Sequence, residues 1–573
     1  MTFVILQQCC NDASCTDVCP VDCIHPTPDE PGFMTADMLH IDPDVCIDCG
    51  ACVDECPVDA IRADHELEVG QARYLDLNAD YFDSHPTSGT YEDPSPTWKG
   101  VDFSGKRVAI VGTGPAAFYT AMELASIRGI EVEMFERLLS PYGLVRAGVA
   151  PDHPGTKTVS DLFRTAAGKK SVRVHFGVDI GRDISHEELI ARHDAVVYAT
   201  GASGDRRLGI DGEELAGSVS ASEFVAWYNA HPDHAHRRFD LSGERAVIIG
   251  NGNVALDVAR ILLAPIEVLE RTDIADHALE ELRHSTIREV VIVGRRSSAQ
   301  AAYTNPELLE LMDCPWIDIE LAAADAEPDD STRAAIEAGT ADSSTALKVQ
   351  LAREIATKSS TVDFEGSQKK RLVFRFCMSP VEILDDEGNP DRQSATAIRL
   401  ARNTLTVDEK GTVEAARTDE IETLRTGLVL RSVGYRGQPI ASVPFDERRG
   451  TIPNLGGRVT DTTGAELPGV YVAGWVKRGP SGVIGTNKKC AAETVRSILS
   501  DIAGGRLTPP AMGRAELDAL LQEKSPESLD FSDWSRIDKA EITEGQKQGR
   551  PRVKFIGMDE MRNALQTEQS DRY

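Results

Sequence analysis

Most of this chain is organised around the stretch Val108-Ala109-Ile110-Val111-Gly112-Thr113-Gly114-Pro115-Ala116-Ala117. A β-branched run ends in glycines, and the run that follows predicts a helix from Ala116 to Ile127. In a strand–turn–helix unit of the form G-x-G-x-x-A, the glycines allow a tight turn and a close approach to a pyrophosphate. The stretch predicts a dinucleotide-binding unit with Gly112, Gly114 and Ala116 at the ligand. The alternative is a glycine-rich turn in an unrelated α/β domain.

The next predicted strand, 131–135, ends in an acidic residue. Glu136 stands 24 residues after Gly112, close to the spacing of about 20 that such units show. A carboxylate at this place binds a ribose 2′-hydroxyl and repels a 2′-phosphate. The first unit is therefore predicted to bind FAD or NAD rather than NADP.

A second fingerprint, Gly250-Asn251-Gly252-Asn253-Val254, follows another β-branched run. Its second strand, 289–293, arrives after a predicted helical insertion at 266–288 and ends in Gly294-Arg295-Arg296. Two guanidinium groups match a 2′-phosphate, which each can bind with paired donors. This unit is predicted to bind NADP(H); a solvated strand end is the alternative for the arginine pair.

Nine of the 12 cysteines lie between Cys9 and Cys56. Four of them form the run Cys46-x2-Cys49-x2-Cys52-x3-Cys56-Pro57, which is typical of bacterial ferredoxins and whose fourth cysteine binds the other cluster. Zinc ribbons use two separated C-x2-C pairs instead. The pattern favours iron–sulfur clusters over zinc or a disulfide scaffold.

The first half of this module is an altered copy of the second, because Cys19-Pro20-Val21-Asp22 repeats as Cys56-Pro57-Val58-Asp59. Counting back from Cys19 places ligands at positions 9, 12 and 15, and position 12 is an aspartate. The predicted ligand sets are Cys19, Cys46, Cys49 and Cys52 for one cluster, and Cys9, Cys15 and Cys56, with Asp12 as the candidate fourth ligand, for the other.

This arrangement resembles the seven-iron bacterial ferredoxins, which implies one [4Fe–4S] and one [3Fe–4S] centre. An aspartate-ligated [4Fe–4S] centre stays open for the second site, because a carboxylate is a hard ligand that binds a fourth iron less firmly than a thiolate does. Cys10 and Cys23 are left over and are interpreted as buried or incidental thiols, although Cys10 is an alternative to Cys9.

Composition limits the partners. The 573-residue chain carries a formal net charge of −31, which argues against nucleic acid. Residues 1–98 hold 20 acidic residues against two arginines, a balance of −18 that suits docking on a basic surface. Without an 18-residue apolar run or a secretory signal, we expect a cytoplasmic protein that does not bind membranes.

Three further motifs carry a resemblance: the run from Pro141 to Pro154, Ala199-Thr200-Gly201, and the run from Val470 to Asn487. Together with both fingerprints they resemble the adrenodoxin-reductase family of ferredoxin–NADP reductases over nearly all of residues 104–500. The resemblance implies FAD, NADP(H) and one-electron partners.

The resemblance also implies roles for individual residues. His153 corresponds to the histidine near the flavin and nicotinamide, Glu310 to the glutamate paired with it, and Glu307 to a nucleotide-binding position. It implies FAD contacts at Leu144, Ile180, Trp475, Gly482, Val483 and Ile484, with Gly482 also against the nicotinamide. Without the resemblance, His153 is a turn-capping histidine and the glutamates are a solvated helix face.

The sequence thus predicts an α/β protein with two Rossmann-like three-layer domains, preceded by a small α+β two-cluster ferredoxin domain. The predicted units are a ferredoxin domain at 1–70, a linker at 71–103, an FAD domain at 104–210 and 426–573, and an NADP domain at 211–425. We expect a loop or hairpin at 24–45 and a surface insertion without chemistry at 322–365.

The predicted function is an NADPH:ferredoxin oxidoreductase. A hydride passes from NADPH to FAD, and single electrons pass through the fused clusters to a ferredoxin or a cytochrome-type acceptor, or in reverse. The fused ferredoxin is either a relay or the captive substrate. The alternatives are an electron-input flavin subunit, like the glutamate-synthase small subunit, and a redox-sensing module without turnover.

Overall fold

The computed structural model describes residues 2–85, 98, 100–364, 366–385, 393–408 and 412–570. The N-terminal module pairs its first strand antiparallel with its fourth and its second with its third. Its elements are β1 Phe3–Ile5, α1 Ser14–Asp17, β2 Ile24–His25, β3 His40–Ile41, α2 Ala51–Glu55, β4 Ile61–Ala63 and α3 Arg73–Ser84. The 24–45 segment contains the hairpin of β2 and β3, as expected.

Helix α3 lies within the segment predicted to be a linker, so that prediction is wrong for its 12 residues. Buried Asn78 fastens the helix to the module: its amide accepts from the N–H of Ile5 and Ile41 and donates to the Ile5 carbonyl. The prolines that suggested a linker begin only after α3. The rest of the predicted linker falls largely on residues 86–97 and 99, outside the described residues.

The first fingerprint forms the centre of a seven-stranded sheet, ordered β20-β21-β22-β8-β5-β6-β7. Strand β5 runs parallel to β6 and β8, which places its carboxyl end among the other strand ends. The elements of this segment are β5 Lys106–Val111, α4 Pro115–Ser126, β6 Ile130–Glu136, α5 Leu144–Ala147, α6 Pro154–Lys157, α7 Val159–Ala167, β7 Val172–Phe176, α8 His186–Ile190, β8 Ala195–Tyr198 and β9 Gly204–Asp205.

The second fingerprint lies in a six-stranded parallel sheet, ordered β10-β18-β11-β12-β14-β13, with a three-stranded antiparallel sheet, β15-β16-β17, beside it. The elements are β10 Ser218–Ser220, α9 Ala221–Tyr228, β11 Arg245–Ile249, α10 Asn253–Leu263, α11 Ile266–Leu269, α12 Asp276–Arg283, β12 Glu289–Val293, α13 Asn305–Asp313, β13 Ile317–Leu321, α14 Ala323–Ala326, α15 Asp330–Glu337, α16 Ser343–Ser359, β14 Lys370–Arg375, β15 Met378–Leu384, β16 Ala397–Val407, β17 Val413–Arg425 and β18 Leu428–Arg431.

Two predictions for this half need correction. Strand β18 pairs with β10 and β11, so the nucleotide half extends past the predicted boundary at 425. Helix α16, inside the predicted surface insertion, buries Leu351, Ala352 and Ile355 in the core of this half. Its polar composition hides a narrow apolar face, because only one side of a helix that packs on a sheet has to be apolar.

The chain then returns to the first sheet, where β22 pairs parallel with β8 and α18 packs on α4. The remaining elements are β19 Tyr435–Arg436, β20 Asn454–Leu455, β21 Arg458–Thr460, β22 Glu466–Val472, α17 Trp475–Arg478, α18 Thr486–Ala503, α19 Arg514–Lys524, α20 Phe531–Lys547 and α21 Met558–Ser570. None of the described helices is both long and apolar enough to cross a bilayer.

The C-terminal segment, to which the sequence assigned no chemistry, joins both halves. Glu541 of α20 is fully buried and pairs with Arg146 of the flavin half at 2.5 Å. Nine residues after Glu541, Arg550 donates to the carbonyl of Thr272, and buried Lys554 pairs with Asp273 at 3.1 Å; both partners lie in the nucleotide half. The segment therefore acts as a strap between the two dinucleotide-binding halves.

Candidate functional site

The predicted thiolate sets lie around two separate cavities. One is lined by Cys19, Cys23, Cys46, Cys49 and Cys52. The other is lined by Cys9, Cys10, Asp12, Cys15 and Cys56. All of these cysteines are free thiols. The structure therefore brings each predicted ligand set together, and the donor chemistry fits an iron–sulfur cluster in each cavity.

The two leftover cysteines also line these cavities, one in each. The Cys23 sulfur lies 3.4 Å from that of Cys19, and Cys10 is buried and packs into the hydrophobic core of the flavin half. Both thiols therefore take part in lining the cavities, although they lie outside the predicted ligand sets.

The cradle for the first dinucleotide has the expected glycine geometry. Gly112 has φ +107°, and a Cβ there would lie 2.6 Å from the carbonyl oxygen of Ala199. Gly114 precedes helix α4 and faces open space. A Cβ on Gly474 would lie 2.5 Å from that of Ala116, so both positions must stay small. The cradle leaves room for a pyrophosphate at the N-terminus of α4.

Glu136 ends β6 beside this cradle. Its carboxylate accepts from the backbone N–H and the hydroxyl of Thr113 and from the N–H of Leu138. Burial raises the pKa of Glu136, and these hydrogen bonds oppose the shift. The structure places the acid against the turn that approaches the dinucleotide, where the sequence predicted it.

The other predicted flavin residues lie at three places. Leu144 begins α5 with 37% of its surface exposed, and Ile180 follows β7 with its side chain in the core. Trp475 begins α17 and stacks obliquely on Tyr435, with ring centroids 5.5 Å apart. Gly482, Val483 and Ile484 form the loop between α17 and α18.

Beside the loop between α17 and α18 lies a guanidinium group that has no ion-pair partner among the described residues. It belongs to Arg478 and donates to Asn487 at 3.0 Å, but its Nε has no hydrogen-bond partner in the described part of the chain. Burial lowers the pKa of its guanidinium. The Nε of this half-buried guanidinium is thus free to bind an acceptor at the loop, and sequence reasoning missed it.

The second cradle repeats the pattern of the first. A Cβ on Gly250, with φ +112°, would lie 2.0 Å from the carbonyl oxygen of Ser432. Gly252 precedes α10, with Val254 in the first turn. The side chain of Asn253 exchanges hydrogen bonds with Thr304, and the Oδ1 of Asn251 accepts from the N–H of Ala302.

Arg295 and Arg296 follow β12 at the edge of this cradle. Arg295 is exposed and Arg296 is half-buried. Neither forms an ion pair with any residue that the structure describes. Burial lowers the pKa of Arg296, and the charge of Arg295 lowers it further. Two uncompensated guanidinium groups at this place are arranged for a phosphate.

The predicted catalytic pair is formed. The Nε2 of His153, at the start of α6, lies 2.8 Å from the Oε2 of Glu310 on α13, and its Nδ1 lies 4.0 Å from Glu307. Arg260, on α10, lies behind them with its side chain 2% exposed, 3.5 Å from Glu307 and 3.7 Å from Glu310. It also binds Asp152 and Asp257 at 2.6 Å.

Charge fixes the protonation of this pair. Burial and the cation of Arg260 disfavour protonated His153, but its hydrogen bond to Glu310 and the charge of Glu307 prevail and raise its pKa to about 9. Burial opposes ionisation of Glu310, yet the bond to His153 lowers its pKa to about 2. Burial raises the pKa of Glu307 to about 7. At neutral pH the pair is an imidazolium and a carboxylate.

Sequence reasoning missed two contacts of this network. In the sequence, Arg260 lies within a mostly apolar helix. Only its spacing of three residues from Asp257 indicates that it could form an ion pair. Gln7 of the N-terminal module donates to Glu310, which no local pattern reveals because the residues are 303 positions apart. The N-terminal module therefore touches the predicted catalytic pair.

The N-terminal module also meets the flavin loop backbone to backbone. The N–H of Gly485 donates to the carbonyl of Cys10 at 2.6 Å. A Cβ on Gly485 would lie 2.1 Å from the Asp12 nitrogen and 2.3 Å from the Cys10 oxygen, so only glycine fits. The second cavity thus adjoins the loop that contains Gly482, Val483 and Ile484.

Side chains extend this junction. On α18, Lys488 donates to the hydroxyl of Ser14 at 3.1 Å and lies 3.9 Å from Asp12. Thr158 donates to the carbonyl of Pro57 at 3.0 Å. Val58 and Ala60 are buried in the same core as the first fingerprint, so the module is packed against the flavin half rather than tethered beside it.

Comparison with known proteins supports this arrangement. The chain matches the pyridine nucleotide-disulphide oxidoreductase family over residues 106–308 and the 4Fe-4S binding domain over residues 39–62. It resembles the solved structure of Mycobacterium tuberculosis FprA in complex with NADPH, with a TM-score of 0.73 and 43% identity, over 80% of this chain and 99% of that one.

Fold and site define a two-dinucleotide oxidoreductase joined to an iron–sulfur module. The chain is 45% identical over 572 residues to the probable ferredoxin/ferredoxin–NADP reductase of Mycobacterium tuberculosis, covering 98% of this chain and 94% of that protein. It is 42% identical to the mitochondrial NADPH:adrenodoxin oxidoreductase of Salvelinus fontinalis, covering 80% and 91%. The chain belongs to the ferredoxin/ferredoxin–NADP reductase family, as the sequence indicated.

The His153–Glu310 pair makes stability depend on pH. Because the pKa of His153 rises from 6.5 to about 9, its contribution is complete below pH 6.5 and is lost as the pH rises through about 9. We expect the difference in melting temperature between the wild type and His153→Gln to shrink over this window, measured by calorimetry. The control His284→Gln removes an exposed histidine–glutamate pair and should show only a small effect. A difference that stays constant from pH 6 to 9.5 contradicts the assignment.

The arginine pair makes a prediction about cofactor choice. In the double variant Arg295→Ala/Arg296→Ala, the dissociation constant for NADP⁺ should rise by at least about tenfold, since one charged hydrogen bond contributes roughly 1.5–3 kcal/mol. Binding of NAD⁺, which lacks the 2′-phosphate, should not change. Arg399→Ala, which removes an exposed arginine of the same half, is the control. Equal losses for both nucleotides would place the 2′-phosphate elsewhere.

Proposed function

We propose that this protein is an NADPH-dependent ferredoxin reductase whose N-terminal module takes electrons from its own flavin. The observation that carries the proposal is the contact between Gly485 and Cys10, which joins the flavin loop to the second cysteine cavity. The relatives whose names specify NADPH, ferredoxin and adrenodoxin as reactants support the reaction class.

FAD, when bound, would supply the conversion between the two electrons of NADPH and the single electrons that iron–sulfur centres carry. The chain supplies binding and orientation. The turn of Gly112 and Gly114, with Glu136 behind it, would hold FAD together with Trp475 and the loop 482–484. The turn of Asn251 to Val254, the arginine pair and Glu307 hold NADP(H).

His153 and Glu310 lie where the two halves meet. Their ion pair, backed by Arg260, would fix the charge of this region and position the bound nucleotide, and hydride transfer itself requires no proton donor. Gln7 of the N-terminal module donates a hydrogen bond to the same Glu310, so the geometry of the pair also depends on how that module is docked. These are positioning roles that the charged hydrogen bonds support.

The packed junction favours a relay over a tethered captive substrate. Cys10, Val58 and Ala60 share a core with the first fingerprint, and Gln7, Ser14 and Pro57 each bond to the reductase. A relay passes electrons on to an external ferredoxin or a cytochrome-type acceptor. An input subunit like that of glutamate synthase is less well supported, because relatives of nearly full length are named as ferredoxin reductases.

We propose a [3Fe–4S] centre in the cavity of Cys9, Cys15 and Cys56. Both carboxylate oxygens of Asp12 are already engaged: Oδ1 accepts from the Ser14 N–H at 3.0 Å and Oδ2 from the Ser14 hydroxyl at 2.7 Å. Lys488 lies 3.9 Å from the same Oδ2. A carboxylate held in this way favours three thiolate ligands over an aspartate-ligated fourth iron.

The relay is tested by an anaerobic NADPH titration followed by visible absorbance and low-temperature EPR. In the wild type, flavin bleaching and cluster reduction should proceed together. In Gly485→Val, whose side chain would intrude on the Cys10–Asp12 backbone, cluster reduction should slow by about tenfold or more, because misplacement by about 1 Å can cost 100-fold. Reduction of ferricyanide, which takes electrons from flavin directly, should persist.

Lys488→Glu repeats this test by reversing a charge at the junction instead of adding bulk, and it therefore guards against misfolding. Its control is Arg496→Glu, at an exposed position of the same helix. Flavin bleaching with clusters that stay oxidised in the wild type would overturn the relay. Flavin that NADPH cannot bleach would overturn the proposed reaction.

The type of the second cluster has its own test. The oxidised wild type should show the EPR signal of a paramagnetic three-iron centre, and Asp12→Asn should keep it because the carboxylate is not a ligand. Asp12→Cys supplies a fourth thiolate and should replace that signal by a diamagnetic four-iron centre. Absence of the three-iron signal from the wild type, together with its appearance in Asp12→Asn, would show that Asp12 holds a fourth iron.

A further inference from the structure

The packing of the N-terminal module gives its two cavities different surroundings. The cavity of Cys9, Cys15 and Cys56 adjoins the reductase, since Cys10 bonds to Gly485 and Val58 is buried in the flavin core. The cavity of Cys19, Cys46, Cys49 and Cys52 contacts none of these reductase residues, and Cys49 is exposed. One cavity faces inward and the other faces solvent.

The surface over the solvent-facing cavity is formed by the loop 44–49, which we call the outer face. Ile47 lines that cavity, yet 58% of its surface is exposed, and Val45 beside it is 39% exposed. Large apolar side chains with this exposure are few in the described part of the chain. An apolar patch of this kind, bordered by polar residues, is typical of a protein–protein contact.

Exposed acidic residues accompany the apolar patch in the same stretch of chain. Asp44 and Asp48 lie in the outer face, and Asp54 and Glu55 follow on α2; all four are exposed. None of the four forms an ion pair with another residue that the structure describes. Unpaired carboxylates around an apolar centre are complementary to a basic surface that has an apolar patch of its own.

Charge also excludes several occupants. A second copy of this chain would bring its own acidic module, whose residues 1–98 balance at −18, against the outer face. Nucleic acids and anionic membranes would meet the same repulsion. The occupant that the charge favours is a basic protein.

We propose that the outer face docks a small one-electron carrier protein with a basic surface, so that electrons enter the module at the inner cavity and leave beside Cys49. This inference rests on the proposed function and names the exit of its relay. Each docking event transfers one electron, so one NADPH, which supplies two, reduces two carrier molecules in turn.

Cytochrome c, a basic haem protein, is the probe. Its binding to the oxidised full-length protein is measured by calorimetry at low salt, and its NADPH-driven reduction is measured by absorbance. In Asp44→Lys/Asp54→Lys the dissociation constant should rise by about tenfold or more and its salt dependence should weaken, as for a charge-steered contact. Val45→Asn, at an exposed apolar position that does not line the cavity, should weaken binding without changing the salt dependence. Ferricyanide reduction, iron content and the EPR spectra should stay unchanged.

Glu66→Lys/Asp76→Lys makes the same change in net charge at exposed positions that line neither cavity, and it is the matched control. Binding that is equally weakened in this control would show attraction to the whole acidic module and overturn the docking site. Unchanged binding in Asp44→Lys/Asp54→Lys would overturn it as well. Because binding is measured without turnover, failure of the wild type to oxidise NADPH refutes only the proposed function.

Discussion

The close approach of two backbones at Gly485 is the contact on which the arrangement of this protein depends. With no Cβ in the way, the glycine N–H reaches the Cys10 carbonyl at 2.6 Å, and the flavin loop meets the turn that carries the second set of cysteines. Any larger residue would lie within about 2 Å of that backbone. The glycine therefore sets the distance between the two redox parts of the chain, and the ion pairs around it set the orientation.

Electrostatics continues this junction into the catalytic region. Arg260 is buried among four carboxylates, and the hydrogen bond to Glu310 together with the charges of Glu307 and Glu310 keeps His153 protonated at neutral pH. Glu310 contacts both the flavin half and the N-terminal module, since it binds His153 and accepts a hydrogen bond from Gln7. The same side chain thus belongs to the ion pair with His153 and to the interface with the N-terminal module, so it links the two directly.

The sequence predicted those features that local chemistry dictates. Both fingerprints, the strand end at Glu136, the arginine pair and the two thiolate sets depend on spacing along a short stretch, and the structure has them where expected. It did not predict α3, whose Asn78 finds its partners across the module, or that β18 joins the second sheet. The sequence of an apolar strand does not indicate which sheet the strand joins. Contacts such as that between Gln7 and Glu310 form only when whole domains dock, so no local pattern predicts them.

The C-terminal strap has a consequence for how nucleotides exchange. Its Glu541 is buried against the flavin half, and Lys554 is buried against the nucleotide half. Swinging the halves apart would expose or break both ion pairs, and leaving one buried charge without its partner is costly. The strap therefore opposes separation of the two halves through buried ion pairs on both sides, and we expect nucleotide exchange to proceed without a wide opening between them.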